Sequence, residues 1–169
     1  MWWSERRAWL PALAALLLAG CSFTLRDAGP LPPAFDRTWI ETPDRYSPFY
    51  QRLTTTLRAR GVQLTDSPAG ASAIIRVRSD DTGRNTLSIS ARNVPRELDV
   101  FYAVSFSVEA AGRVVIPPEQ ISVSREFTWD ETQVLGKQVE EDQLRLALAN
   151  DLVGLVMRRL SAVEEGDGL

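Results

Sequence analysis

Apolar residues recur every second position through the middle of the chain and every third or fourth position on either side, a pattern that predicts a sheet accompanied by two helices. Phe35 to Glu41 contains Trp39 and Ile40, ends before Pro43 and predicts a first strand. Ser47 is a natural N-cap with Pro48 at the first helical position, and Phe49, Leu53 and Leu57 then repeat every four residues until Gly61. In Ala73 to Arg78 the apolar face is Ala73, Ile75 and Val77, and in Leu87 to Ala91 it is Leu87, Ile89 and Ala91, so both stretches are expected to be half-buried strands. Leu98 to Val108 predicts the longest strand, with Leu98, Val100, Tyr102, Val104, Phe106 and Val108 on one face. Ile121 to Trp129 repeats the alternation through Val123, Arg125, Phe127 and Trp129. Gly112 with Arg113 marks the hairpin turn between these two, and Pro117 with Pro118 interrupts pairing, as at an edge or strand boundary.

A long helix is expected to close the chain. Asp130 is its predicted cap, Gln133 sits at the capping-box position, and Leu144, Leu148, Leu152, Leu155, Val156 and Leu160 form one stripe. Gly154 inside that stripe predicts a close approach to the sheet, because glycine in a helix otherwise costs about 1 kcal/mol relative to alanine. Two amphipathic helices and a mainly antiparallel or mixed sheet of about four strands, each with one apolar face, are best satisfied by a two-layer α+β sandwich.

The first twenty residues follow a different logic. Arg6 and Arg7 precede an almost unbroken apolar run from Ala8 to Ala19, the layout of a secretory signal peptide. The run is shorter than the roughly 20 residues a membrane-spanning helix needs. Leu18, Ala19, Gly20 and Cys21 look like a bacterial lipobox, which implies cleavage before Cys21 and lipidation of its sulfur. Acyl chains there supply stable anchoring at about 0.8 kcal/mol per buried CH₂. Similarity to bacterial lipoproteins makes Ser22, in place of Asp, an outer-membrane address facing the periplasm. A twin-arginine signal is the alternative reading of the Arg pair. The expected organisation is a signal peptide over 1–20, a lipidated tether over 21–34 rich in proline and glycine, one domain over 35–160 and a flexible acidic tail over 161–169.

Composition narrows the chemistry. The 169 residues are 44% hydrophobic, enough for one core, and contain no histidine and one cysteine. Imidazole-based catalytic arrangements, histidine metal sites and internal disulfides are thereby excluded. The net charge of -3 falls to -4 when the signal, with its two arginines and one glutamate, is removed. That leaves no overall footprint for nucleic acid. Asp80 with Asp81, and Glu140, Glu141 with Asp142, are the only acidic clusters open to acid/base work or a hard cation; the competing reading is a solvated turn and a polar helix face. No Gly-x-Ser-x-Gly elbow or glycine-rich phosphate loop occurs, and no cofactor or metal site is expected.

What remains is arginine, since Lys137 is the only lysine. Guanidinium groups bind phosphate and carboxylate bidentately, so arginines on strands or turns can recognise an anionic glycolipid; genomic composition explains the same bias. The candidates are Arg76 and Arg78, opposite Ile75 and Val77, and Arg92 and Arg96, flanking the turn before the longest strand. Each competes with the reading of an ordinary exposed surface charge.

Three stretches together resemble a known family: Cys21, Phe23, Leu25 and Arg26 after the lipobox; Leu57 to Val62 at the end of the first helix; and Val123, Arg125, Phe127 and Asp130 leading to Leu160. In this order they resemble the lipopolysaccharide-assembly lipoprotein family LptE over nearly the whole mature chain. Ser22 and Asp27 depart from the family's usual glycines, and the loop from Asp130 to Lys137 is one residue shorter than in a close relative's pattern. The resemblance implies a non-enzymatic outer-membrane subunit that plugs an LptD-type β-barrel, supports its assembly and binds lipopolysaccharide through basic side chains, here Arg92 and Lys137. A second class of function remains open: a periplasmic lipid- or peptide-binding accessory lipoprotein of a transporter, without a barrel partner.

Overall fold

The computed structural model describes residues 31–163. The expected signal peptide, Cys21, the tether as far as residue 30 and the tail from residue 164 lie outside the described residues. A five-stranded sheet is covered on one face by two helices, the predicted two-layer α+β sandwich with one strand more than expected. A short 3-10 helix over Pro33–Phe35 leads into β1 (Arg37–Glu41), followed by α1 (Pro48–Ala59), β2 (Gln63–Thr65), β3 (Ala73–Ile89), β4 (Pro95–Ala110), β5 (Arg113–Thr128) and α2 (Val134–Ser161). Spatial order across the sheet is β2-β1-β3-β4-β5. β1 pairs in parallel with β2 and β3, and the remaining pairs are antiparallel.

The extra strand is β2, whose three residues pair only with Arg37, Thr38 and Trp39. Three residues cannot display a period, so the sequence carries no signal for it. Phe35 belongs to the 3-10 turn rather than to the first strand and is fully buried, and Leu31 already packs in the core. The two stretches expected as separate strands around Asp80 and Asp81 are one 17-residue strand, because β4 offers a partner along nearly the whole length. Tertiary pairing overrides the poor strand propensity of Asp, Gly and Asn there.

Register breaks in β3 between Val77 and Ser79 and near Ser88 shift its faces. Leu87 and Ile89, expected half-buried, are therefore 53% and 57% exposed. β4 keeps its predicted face: Leu98, Val100, Tyr102, Val104, Phe106 and Val108 are all buried beneath the helices, and the small Ala103 and Ser107 are buried between them. Ala111 and Gly112, with φ of 50° and 76°, form the two-residue turn into β5, where positive φ at both positions matches the twist of a hairpin. The register shift between Phe106 and Val108 falls opposite Pro117 and Pro118, and β5 is the sheet's outer strand, as two prolines require.

α1 begins as its sequence predicts. The Ser47 hydroxyl accepts from the Tyr50 N–H at 3.1 Å and donates to Asp80 at 2.5 Å. Asp80 is thus a strand residue facing the helix layer, where it also meets the buried Tyr102 hydroxyl, itself an acceptor from the Phe49 N–H at 3.3 Å. Burial, reinforced by Asp80, holds the Tyr102 phenol well above its ordinary pKa of 10.0. α2 starts later than its cap signal implies. Asp130 closes a turn on the N–H and hydroxyl of Thr132 at 2.9 and 2.7 Å, and Gln133 takes the N-cap position without a capping bond, its side-chain amide donating to Asp130 at 3.3 Å instead. Those bonds to Thr132 keep the Asp130 carboxyl below its usual range. Gly154 makes no close approach to the sheet: a Cβ there would meet only the Arg158 guanidinium at 3.9 Å. Among the described residues, no helix is long and apolar enough to cross a membrane.

A basic and aromatic tip

The chain enters β1 at one end of the sheet, since Thr38 pairs with Ala73 at the start of β3. The opposite end, where β3 turns into β4, lies about 50 Å away at roughly 3.3 Å per residue. There the turn at residues 90–94, the end of β5 and the start of α2 converge. Asn93 takes a positive φ of 61° in that turn, and the Trp129 N–H donates to the Arg96 carbonyl at 2.8 Å, which ties the turn to the last residues of the sheet. Phe127 and Trp129 meet edge to face with centroids 6.3 Å apart.

Cations surround this aromatic pair. Arg84 lies 5.6 Å from the Trp129 ring centre, and the Lys137 ammonium lies 5.0 Å from that of Phe127. Arg92 extends from the turn to Glu131 at 2.9 Å, and Arg96, at the start of β4, is exposed. Lys137 contacts Glu140 at 2.9 Å and is only 19% exposed, because α2 turns it inward onto Phe127. Beneath it Glu141, 6% exposed, accepts from Arg84 at 2.9 Å and Arg145 at 2.5 Å. Exposed apolar side chains border the same region: Leu87 and Ile89 at the end of β3, and Leu135 and Val139 on the outer side of α2.

Of the residues singled out from the sequence, Arg92, Arg96 and Lys137 meet at this tip, although Arg92 and Lys137 are far apart along the chain. Arg76 and Arg78 do not. Arg76 lies on the uncovered face of the sheet, bonded to Glu109 and to Glu41, the latter at 3.0 Å. The Glu109 bond, followed by charge and the Glu41 bond, holds its guanidinium more strongly protonated than usual against its burial. Arg78 is exposed and is the residue that the register skips at the bulge. Arg84, Phe127 and Trp129 complete the tip and were not among the sequence candidates. Only the i, i+4 spacing of Glu141 and Arg145 hints at the buried ionic cluster.

A two-layer α+β domain with a charged, aromatic tip and a closed apolar core is the class that this fold and site define. The family model described as LptE, lipopolysaccharide-assembly, matches residues 35–160, and the chain belongs to that family. It is 26% identical over 159 residues to the LPS-assembly lipoprotein LptE of Yersinia enterocolitica, covering 94% of this chain and 76% of that one. The fold is similar to that of a lipoprotein B from Nitrosomonas europaea, with a TM-score of 0.70, 23% identity and coverage of 85% and 92% of the two chains. It is likewise similar to the rare lipoprotein B of Shewanella oneidensis, with a TM-score of 0.67, 21% identity and coverage of 77% and 97%. Membership makes this a non-enzymatic lipoprotein serving lipopolysaccharide transport at the outer membrane.

Proposed function

We propose that this lipoprotein, anchored through Cys21 at the periplasmic leaflet, binds and plugs an LptD-type β-barrel, supports that barrel's assembly and helps deliver lipopolysaccharide to the outer leaflet. In this reading it engages lipopolysaccharide directly at the tip. The observation that carries the reading is that Arg84 and Lys137 stand over Trp129 and Phe127 while Arg92, paired with Glu131, and the exposed Arg96 lie at the same end of the sheet. Guanidinium and ammonium groups match phosphate, and the exposed Leu87, Ile89, Leu135 and Val139 offer apolar surface to acyl chains. Anchor and tip also suit opposite tasks, because the chain enters the domain at the far end of the sheet. The tether from Cys21 to Leu31 reaches about 35 Å when extended, which confines the domain near the membrane and raises its effective concentration at a barrel.

Affinity isolation of the protein from detergent-solubilised outer membrane is expected to yield a stoichiometric barrel protein together with lipopolysaccharide. Arg92→Ala with Lys137→Ala should reduce bound lipopolysaccharide by about tenfold, a loss of roughly 1.4 kcal/mol, while barrel recovery stays unchanged. Lipopolysaccharide binding at the level of the unaltered protein would overturn the assignment of the tip. Absence of any barrel protein would overturn the plug and favour an accessory lipoprotein acting alone.

A further inference from the structure

The end of the domain opposite the tip gathers cations of a different kind. β1 and β3 both start there, since Thr38 pairs with Ala73. The turn after α1 is tied to the same level by the Gln63 N–H, which donates to the Asp36 carbonyl at 2.8 Å. α2 ends nearby: Leu160 and Val163 pack on the core, and Arg159 reaches Glu119 of β5 at 3.4 Å. Arg37, Arg58 and Arg158, one from β1 and one from each helix end, are exposed and hold no acid in an ion pair among the described residues. Arg37 folds over the loop between β2 and β3, where a Cβ on Gly70 would meet its guanidinium at 3.1 Å. At the tip, by contrast, Arg84, Arg92 and Lys137 are each neutralised by a carboxylate. The exposed acids described at the anchor end are Asp36 and Asp66; Glu119 is held by Arg159 and Glu109 by Arg76.

Arginine in a last helical turn balances the partial negative charge of the terminal carbonyls, which accounts for Arg58 and Arg158 one helix at a time. It does not account for Arg37, which begins a strand, or for both helices ending on the side where the chain enters from Cys21. That side is the one a lipid anchor brings to the membrane. The tether confines it within about 35 Å of the headgroups, so a modest attraction is enough to hold it down. Acyl chains on Cys21 already attach the protein, and what the arginines add is orientation rather than retention. Guanidinium groups fork onto phosphate oxygens, and an anionic leaflet attracts each cation within a Debye length of about 8 Å.

We infer that the anchor end is a membrane-facing surface, on which Arg37, Arg58 and Arg158 hold the free lipoprotein against anionic phospholipid headgroups and so keep the tip raised from the leaflet. This rests on the lipid anchor at Cys21 and on no ligand of the tip. Trp39, half-buried two residues along β1 from Arg37, marks the anchor end, and Trp129 marks the tip about 40 Å away at roughly 3.3 Å per residue. They are the only tryptophans once the signal peptide is removed, so each reports alone when the other is replaced.

The test uses the mature lipidated protein as Trp129→Phe, which leaves Trp39, and as Trp39→Phe, which leaves Trp129. Each is reconstituted in phosphatidylcholine vesicles with or without phosphatidylglycerol, all carrying a headgroup spin label that quenches tryptophan. Trp39 should be quenched about threefold more with phosphatidylglycerol than without, and Trp129 equally in both. Arg37→Gln, Arg58→Gln and Arg158→Gln combined, or salt raised to about 0.5 M, should return Trp39 to its level in phosphatidylcholine alone. Equal quenching of Trp39 in both vesicles would overturn the inference, as would extra quenching that survives the triple variant or that appears at Trp129 as well. Protein that floats with neither vesicle would overturn the anchor and this inference with it. The salt arm keeps the arginines unaltered, so it decides the question even if the triple variant fails to fold.

Discussion

The two halves of α2 face the same sheet with opposite chemistry. Its last four turns place Leu148, Leu152, Val156 and Leu160 against the core, all buried. Its first turns place Lys137 and Glu141 inward at the same helical spacing, while Leu135, Val139 and Leu146 point out at 79%, 61% and 51% exposure. The first half therefore has its polarity reversed. Burying apolar surface stabilises the fold at either end equally well, so a half-helix that buries charges and exposes leucine is organised for something other than stability. Charges held near neutral pairing can exchange partners; a packed leucine cannot.

Removing bulk from the apolar half should have the largest effect. Leu152→Ala is expected to cost about 2–5 kcal/mol of stability by denaturant unfolding, because Leu152 is fully buried among core residues. Tyr102→Phe should cost about 1–2 kcal/mol by removing the hydroxyl shared by Asp80 and the Phe49 N–H. That variant also separates pH behaviour. The folded phenol resists ionisation, so the stability it contributes is complete below pH about 10 and is lost as the unfolded phenol ionises above it. The unfolding midpoint of the unaltered protein should fall as the pH rises from 10 towards 12, and the phenylalanine variant should lack this component of the fall.

In the ionic half the cost should be smaller. Glu141→Gln is expected to lose about 1 kcal/mol, because its partners Arg84 and Arg145 are 50% and 34% exposed and solvent screens the pair. A loss equal to that of Leu152→Ala would break the contrast between the halves and make the ionic cluster a structural core. Gly154→Ala should give the smallest change and the opposite sign, a gain of about 0.5–1 kcal/mol in the same unfolding assay. The space around Gly154 is open apart from Arg158, so a loss there would reveal a constraint on the sheet side of the helix.

The apolar half and the strands beneath it were legible because burial writes a period into the chain. β4 shows six alternate buried residues, and α1 shows cap, proline and four-residue repeat in order. Continuity of β3 was not legible, because Asp80, Asp81 and Gly83 read locally as a turn and become a strand only when β4 pairs with them. The positions of Leu87 and Ile89 were misread for a related reason: a bulge adds one residue, and one residue reverses the faces of everything beyond it. At the tip, Arg92 and Lys137 could be named by family resemblance, whereas Arg84 and Trp129 could not. Neither residue carries a local pattern that distinguishes it from an exposed charge or a core aromatic.

The sequence by itself determined the two-layer class, the order of the long elements and the absence of imidazole chemistry, since composition and period are properties of the chain alone. Tertiary structure decided which cations share a site and which acids neutralise them. The Arg92–Glu131 and Arg84–Glu141 pairings cross from turn to loop and from strand to helix, and their energies depend on distances of 2.9 Å that no one-dimensional spacing encodes.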